Sequence, residues 1–272
     1  MNKMKNTARV WMVIGLTAGV LIFLAGCSKS GDEAVNPQST EDPGFIETPL
    51  PQTPTPVPTF SFSFPFTGFG SETDQAAKKR PVMVMVENQA KARPQTGLDE
   101  ADLVYEILAE GDITRFVTIF QSKSPKAIGP VRSIRPYFIE IGDALDALIV
   151  HAGYSPEAIK MINSRKLPHF DEIYGDGAYY WRDKIRKPPH NLYTSIELIR
   201  KGADNRKISN EWNGSGLVFL PKDYVFSGLP VRKVTVNYIQ GYQVYYEYDE
   251  ITKMYKRFMA GLAHKDKETD VQ

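Results

Sequence analysis

Three sets of side chains in this sequence have the chemistry to act on or hold another molecule. Glu87, Glu106 and Glu110 fall at strand ends or along one hairpin strand, with Arg93 and Arg115 on neighbouring segments. A carboxylate beside a guanidinium stays ionised, whereas one in an apolar pocket becomes an acid. Glycoside cleavage needs one of each, ~5–9 Å apart across the sugar. Glu87 and Glu106 are therefore candidate catalytic residues; the alternative is that these Glu and Arg residues pair to hold a sheet together. His151, Asp183 and His190 form the second set. Two neutral imidazoles and a carboxylate suit zinc, or His190 acts as a general base oriented by Asp183. Neither HxxxH nor HxH occurs, so no metal is expected, and His151 also reads as a core residue closing a strand. The third set is Trp181, Arg182 and Asp183, with Asn191 nearby: an indole to stack on a ring and polar groups for hydroxyls or acidic substituents.

The elements that must position these groups centre on Ala127–Ser155. The stretch reads as a glycine-proline turn opening a helix, a short loop, then a buried strand ending on His151. Arg132 and Arg135 fall in the first turn of that helix, with Ser133 as its N-cap. Unpaired N–H groups at a helix start favour anions, and two guanidiniums strengthen the preference. Before it, Pro81–Val86 is an apolar run suited to a strand covered on both faces. ADLVYEILAEG and ITRFVTIFQS read as a hairpin turning at Gly111-Asp112, with a helix over Asp99–Glu110 as the alternative. Ser155-Pro156-Glu157 starts a second helix, and the capping box Thr194–Glu197 a third. His169 and His264 are expected at the surface. KVTVNYI, YQVYYEYD and KMYKRFMAG are Tyr- and Val-rich strands of a small meander. The fold class is α/β, with α+β as the alternative: a mixed sheet flanked by helices, followed by a smaller C-terminal antiparallel meander.

Charge and cysteine usage narrow the classes of partner. With 33 Lys plus Arg against 32 Asp plus Glu, the chain lacks the basic footprint that nucleic-acid binding requires, and none is expected. No cofactor motif is present. The single cysteine, Cys27, follows a positive segment (Lys3, Lys5, Arg9), an apolar run from Val10 to Leu24, and Leu24-Ala25-Gly26. The apolar run is shorter than the ~20 residues of a membrane span. The arrangement resembles a bacterial lipoprotein signal over residues 1–27. The resemblance implies cleavage before Cys27, a diacylglyceryl group on it, and an extracytoplasmic domain held on the lipid bilayer. Residues 28–79, polar and then proline-rich, read as a disordered tether that includes the aromatic stretch Phe60–Gly70, with docking of that stretch on the domain or on a partner as the alternative. The remainder divides into an α/β domain over 80–205 and a β-rich domain over 206–272.

ENQAKARPQTGLDEADLVYEILAEGDITRF, GPVRSIRPYF, HAGYSPEAI, YWRD and PPHNLY follow one another in order. Together they resemble the YerB-like bacterial lipoprotein family, DUF3048, over roughly Pro81–Lys201. The resemblance implies a membrane-anchored, two-domain extracytoplasmic protein without assigning a reaction. Two departures stand out. Gly153-Tyr154-Ser155 has a tyrosine where the family usually has a second glycine, and family members continue past the position of Gln272. The function expected is binding of an anionic cell-wall polymer or an envelope protein through an arginine-rich cleft (Arg93, Arg115, Arg132, Arg135, Trp181, Arg182, Asp183, Asn191). The alternative is a wall glycan or peptide hydrolase using Glu87 or Glu106 with His151 or His190.

Overall fold

The computed structural model describes residues 60–272, apart from 222 and 240. The signal segment, Cys27 and the first part of the tether, residues 28–59, lie outside the described residues. A five-stranded mixed sheet positions everything that follows. Its strands are β3 (Val82–Glu87), β4 (Leu103–Ala109), β5 (Ile113–Phe120), β6 (Leu148–His151) and β7 (His169–Asp171), in the order β4-β5-β3-β6-β7. β3, β6 and β7 run parallel; β4 and β5 are antiparallel, joined through a turn in which Gly111 and Asp112 take positive φ. The Leu103–Ala109 stretch is thus a strand, as its period-two pattern requires.

Every residue of β3 is buried, because both faces of the sheet are covered. Val82, Val84 and Val86 pack with Phe116, Phe120, Val150 and Phe170 under α4 (Ile196–Asn205). Met83 and Met85 face the other way, with Val117, Ile119 and Ile149, under α2 (Pro136–Ala144) and α3 (Pro156–Arg165). The side chains of Ser155 and Ser195 cap α3 and α4 by accepting from the N–H of Ala158 and Leu198. α2 starts later than its sequence suggests. Pro136 takes the first helical position and restricts the preceding residue, so extended Arg135, not Ser133, is the N-cap.

The folded body begins before Arg80, which corrects the expectation of a tether through residue 79. Strands β1 (Phe62–Ser63) and β2 (Gly70–Ser71) pair, and the short α1 (Asp74–Ala77) follows, capped by Thr73. Phe66 is buried with its ring 5.1 Å from that of Trp212. Burial of this one aromatic turns a segment with tether-like composition into part of the core. For the same reason the α/β unit does not end at residue 205: Trp212 donates from its backbone N–H to the Lys78 carbonyl and from its indole to the Leu145 carbonyl.

A small ladder of β8 (Trp181–Arg182) and β9 (Leu192–Tyr193) borders the main sheet. The meander comprises β10 (Lys233–Ile239), β11 (Tyr242–Asp249), β12 (Met254–Met259) and a short β13 (Leu262–Ala263), all antiparallel. The described residues fall within one compact unit, and the tail after β13 folds back over the main body. The Asp266 carboxylate accepts from the N–H groups of Gly97 and Leu98 at 2.6 and 3.1 Å, which fixes that return.

Candidate functional site

The carboxyl ends of β3, β6 and β7 deliver Glu87, His151 and Asp171 to one edge of the sheet, where ligands collect in open α/β folds. Arg115 pairs in register with Glu87 from the antiparallel β5 and reaches the same edge. The segment Val131–Ile134 lies across it: Arg132 donates from its backbone to the Met85 carbonyl, and Ile134 to that of Gly153.

Two charged groupings occupy this rim. In the first, the Glu87 carboxylate is fully enclosed, accepting from Arg132 at 2.7 Å and meeting Nδ1 of His190 at 2.9 Å. The His190 side chain keeps 13% of its surface exposed. In the second, Glu110, set at the hairpin turn, accepts from Arg135 Nε at 2.6 Å and lies 3.6 Å from Arg115. Arg115 also donates to the Ser133 carbonyl at 2.8 Å. Burial, and then the charge of Arg135, lower the pKa of Arg115. Burial pulls Glu110 upward, but the hydrogen bond and charge of Arg135 outweigh it and hold the carboxyl below its usual range. Three guanidiniums therefore meet two carboxylates here, and Glu110 is 56% exposed.

Glu106 belongs elsewhere. It lies at the seam with the meander, where Oε1 accepts from Thr114 and Tyr242, both at 2.7 Å, and Oε2 from Arg257 at 2.6 Å. Arg257 also donates to Nδ1 of His264 at 2.6 Å, so the other ring nitrogen carries the proton and donates to Gln95 at 2.7 Å. Burial, helped by Arg257 and Arg93, pushes His264 down to about 3, in keeping with that neutral tautomer. His264 is thus not a surface residue. Gln95 links the two regions by donating to the Glu87 carbonyl and to Asn88, on which Arg93 also rests. A cavity of about 380 Å³ opens at this seam, bordered by Glu106, Phe116, Tyr238, Tyr246, Arg257 and His264.

The histidine expectations also change. His151 is fully buried: Nδ1 meets the Gly153 carbonyl at 3.0 Å and Nε2 meets Nδ1 of His169 at 3.2 Å. Burial first, then His169, pushes it down to about 3, against the opposing hydrogen bond to Gly153. It forms a cluster with stacked His169 and with Asp171, 3.8 Å away, and does not pair with His190. His169 is accordingly half-buried, not a surface residue. Asp183 does not orient His190; it accepts from the N–H groups of Ile185 and Arg186 in a turn, and Glu87 orients the imidazole instead. Trp181 stacks on Tyr193, and Arg182 bridges Asn191 and Glu172. Among the described residues no group of three or more His, Cys, Asp or Glu is arranged to hold a metal. Sequence reasoning missed Gln95, Asp171, Tyr242, Arg257 and His264. The only signal for the last two was their place near the end of the meander, which gives no hint that the tail returns.

A three-layer α/β body with an ionic rim and a docked antiparallel meander defines the class. The chain belongs to the DUF3048 family: the profile described as "Protein of unknown function (DUF3048) N-terminal domain" matches residues 66–209. It is 40% identical over 207 residues to the Bacillus subtilis (strain 168) protein named "Putative lipoprotein YerB", covering 74% of this chain. The match spans 61% of that relative's length. The crystal structure of YerB from Bacillus subtilis superposes with a TM-score of 0.69 at 37% identity, over 77% of this chain and 70% of the other.

Proposed function

We propose that this protein is a lipid-anchored extracytoplasmic receptor that captures an anionic envelope polymer at the rim formed by Arg115, Arg132 and Arg135. The observation that carries the reading is the unequal grouping of three guanidiniums with two carboxylates, one of them the exposed Glu110. Glu110 acts as an internal stand-in: a phosphate or carboxylate from outside displaces it and takes over its hydrogen bonds to Arg135 and Arg115. The anchor in this reading is supported by the lipoprotein-like signal ending at Cys27 and by the relative named as a lipoprotein. Wall polymer or envelope protein are the partners such a location offers.

A hydrolytic role fits less well. The side chains of Glu87 and Glu106, the two carboxylates it would use, are 5% exposed or less and each is ion-paired to an arginine. Neither is free to act as an acid across a sugar.

The test is calorimetric titration with poly(glycerol phosphate). Arg132→Ala with Arg135→Ala should weaken binding at least tenfold, since hydrogen bonds to charged groups contribute about 1.5–3 kcal/mol each. Arg135→Ala alone leaves Glu87 its partners and should still weaken binding severalfold. Unchanged affinity in both variants removes the reading. Anchoring is tested separately, by release of a Cys27→Ser chain from cells into the medium.

A further inference from the structure

Three segments distant in the chain wall the cavity at the seam between the main sheet and the meander. Strand register sets the first wall: Tyr246 pairs with Val234 on one side and Arg257 on the other, so Tyr246 and Arg257 share a face of the meander. Tyr238 joins them and donates to the Glu106 carbonyl at 3.2 Å. Glu106 and Phe116, partners in the β4–β5 ladder, form the second wall with Val104. The returning tail supplies the third through His264, Asp266 and Val271. The volume of about 380 Å³ falls within the ~300–1,000 Å³ range of small-molecule sites.

Two residues on this border carry an enclosed polar atom with no hydrogen-bond partner among the described residues: Nε of Arg257, a donor, and Oδ1 of Asp99, an acceptor. Such atoms are costly unless something supplies the missing bond. The charged groups around them are already matched. Glu106 pairs with Arg257 at 2.6 Å, Lys265 with Asp270 at 2.8 Å, and both ring nitrogens of His264 are occupied. A charged ligand would enter without a counter-ion, and an anion would meet Asp99, Glu106 and Asp266. The occupant is therefore neutral, offers both an acceptor and a donor, and has an apolar face for Phe116, Tyr238 and Tyr246. A sugar ring meets all three conditions, since each hydroxyl donates and accepts and its C–H face packs on aromatic rings. We infer that the seam cavity is a binding site for a neutral sugar ring, separate from the anion-capturing rim. Arg257 donates to one ring substituent and Asp99 accepts from another. Neither the lipid anchor nor the rim arginines enter this inference.

The test is titration of the full chain, purified in a detergent without a sugar headgroup, with methyl glucoside and with N-acetylglucosamine. Saturation-transfer NMR of the sugar protons reads the binding. At least one of the two should bind saturably, and binding should persist in 0.5 M NaCl, which screens anion capture at the rim. Methyl glucuronide, which differs from the glucoside by an ionised carboxylate, should bind about fivefold more weakly or worse. Val104→Trp narrows the cavity from a position that is 44% exposed, so the fold tolerates it, and should lower affinity about tenfold. Tyr246→Leu keeps an apolar side chain in the strand but removes the aromatic face, and should lower affinity severalfold. If that variant unfolds, Val104→Trp still decides. Absent binding of both neutral sugars, equal binding by Val104→Trp, or equal or tighter binding of methyl glucuronide overturns the inference. So does tighter binding of N-acetylleucinamide, because a peptide would then be the occupant. The rim is scored separately, by its own titration with poly(glycerol phosphate).

Discussion

Glu87 and His151 reach the same edge of the sheet from neighbouring strands, yet their surroundings give them different roles. Glu87 stays in the rim because Arg132 and His190 satisfy both carboxylate oxygens. His151 is neutral, and its depressed pKa has a consequence for stability. An imidazole near 6.5 when unfolded and about 3 when folded binds more protons in the unfolded chain between those values. Its contribution is therefore fully present above pH 6.5 and is lost as pH falls toward 3, by up to about 1.4 kcal/mol per pH unit. Asp171, raised chiefly by burial, works in the opposite direction over the range between the ordinary carboxylate value and its own. Urea melts between pH 7 and 4.5 should show falling stability, and His151→Gln should flatten that slope. An equal slope in the variant would place the acid sensitivity elsewhere, with His264 the next candidate.

At the scale of elements, the meander is attached through a few buried polar contacts. Glu106 and Arg257 are both largely enclosed and bind each other, so removing one leaves an uncompensated charge. Arg257→Met should destabilise the chain by about 3–5 kcal/mol and increase proteolysis within β10–β12. Glu106→Leu combined with Arg257→Met should recover most of that loss. A single variant costing under about 1 kcal/mol would mean the meander is held by other contacts. The strands themselves were legible: the apolar run of β3, the alternation of β4 and the Tyr- and Val-rich meander each carry a local period. The seam was not, because Glu106, Thr114, Tyr242, Arg257 and His264 come from distant segments brought together by the returning tail. Phe66 illustrates the same limit, being an aromatic in a proline-rich stretch whose partner, Trp212, lies 146 residues further on.

Taken whole, the molecule presents two distinct surfaces. The N-terminal hairpin and the apolar segment after Trp212 form one face, and the arginines gather at the carboxyl edge of the central sheet. Much of that edge was readable in advance, since Arg115, Arg132, Arg135, Glu87 and His190 do converge there. Glu106, His151 and Asp183 do not join that ionic grouping, because one faces the meander, one is enclosed against His169 and one closes a turn. If Glu110 is the stand-in that a captured anion displaces, removing its charge should free the rim without disturbing the fold, given its exposure. Titration of the Glu110→Gln chain with poly(glycerol phosphate) at low salt tests this most directly. The account predicts binding severalfold tighter than wild type, with the gain abolished by Arg135→Ala; equal or weaker binding by Glu110→Gln would contradict it.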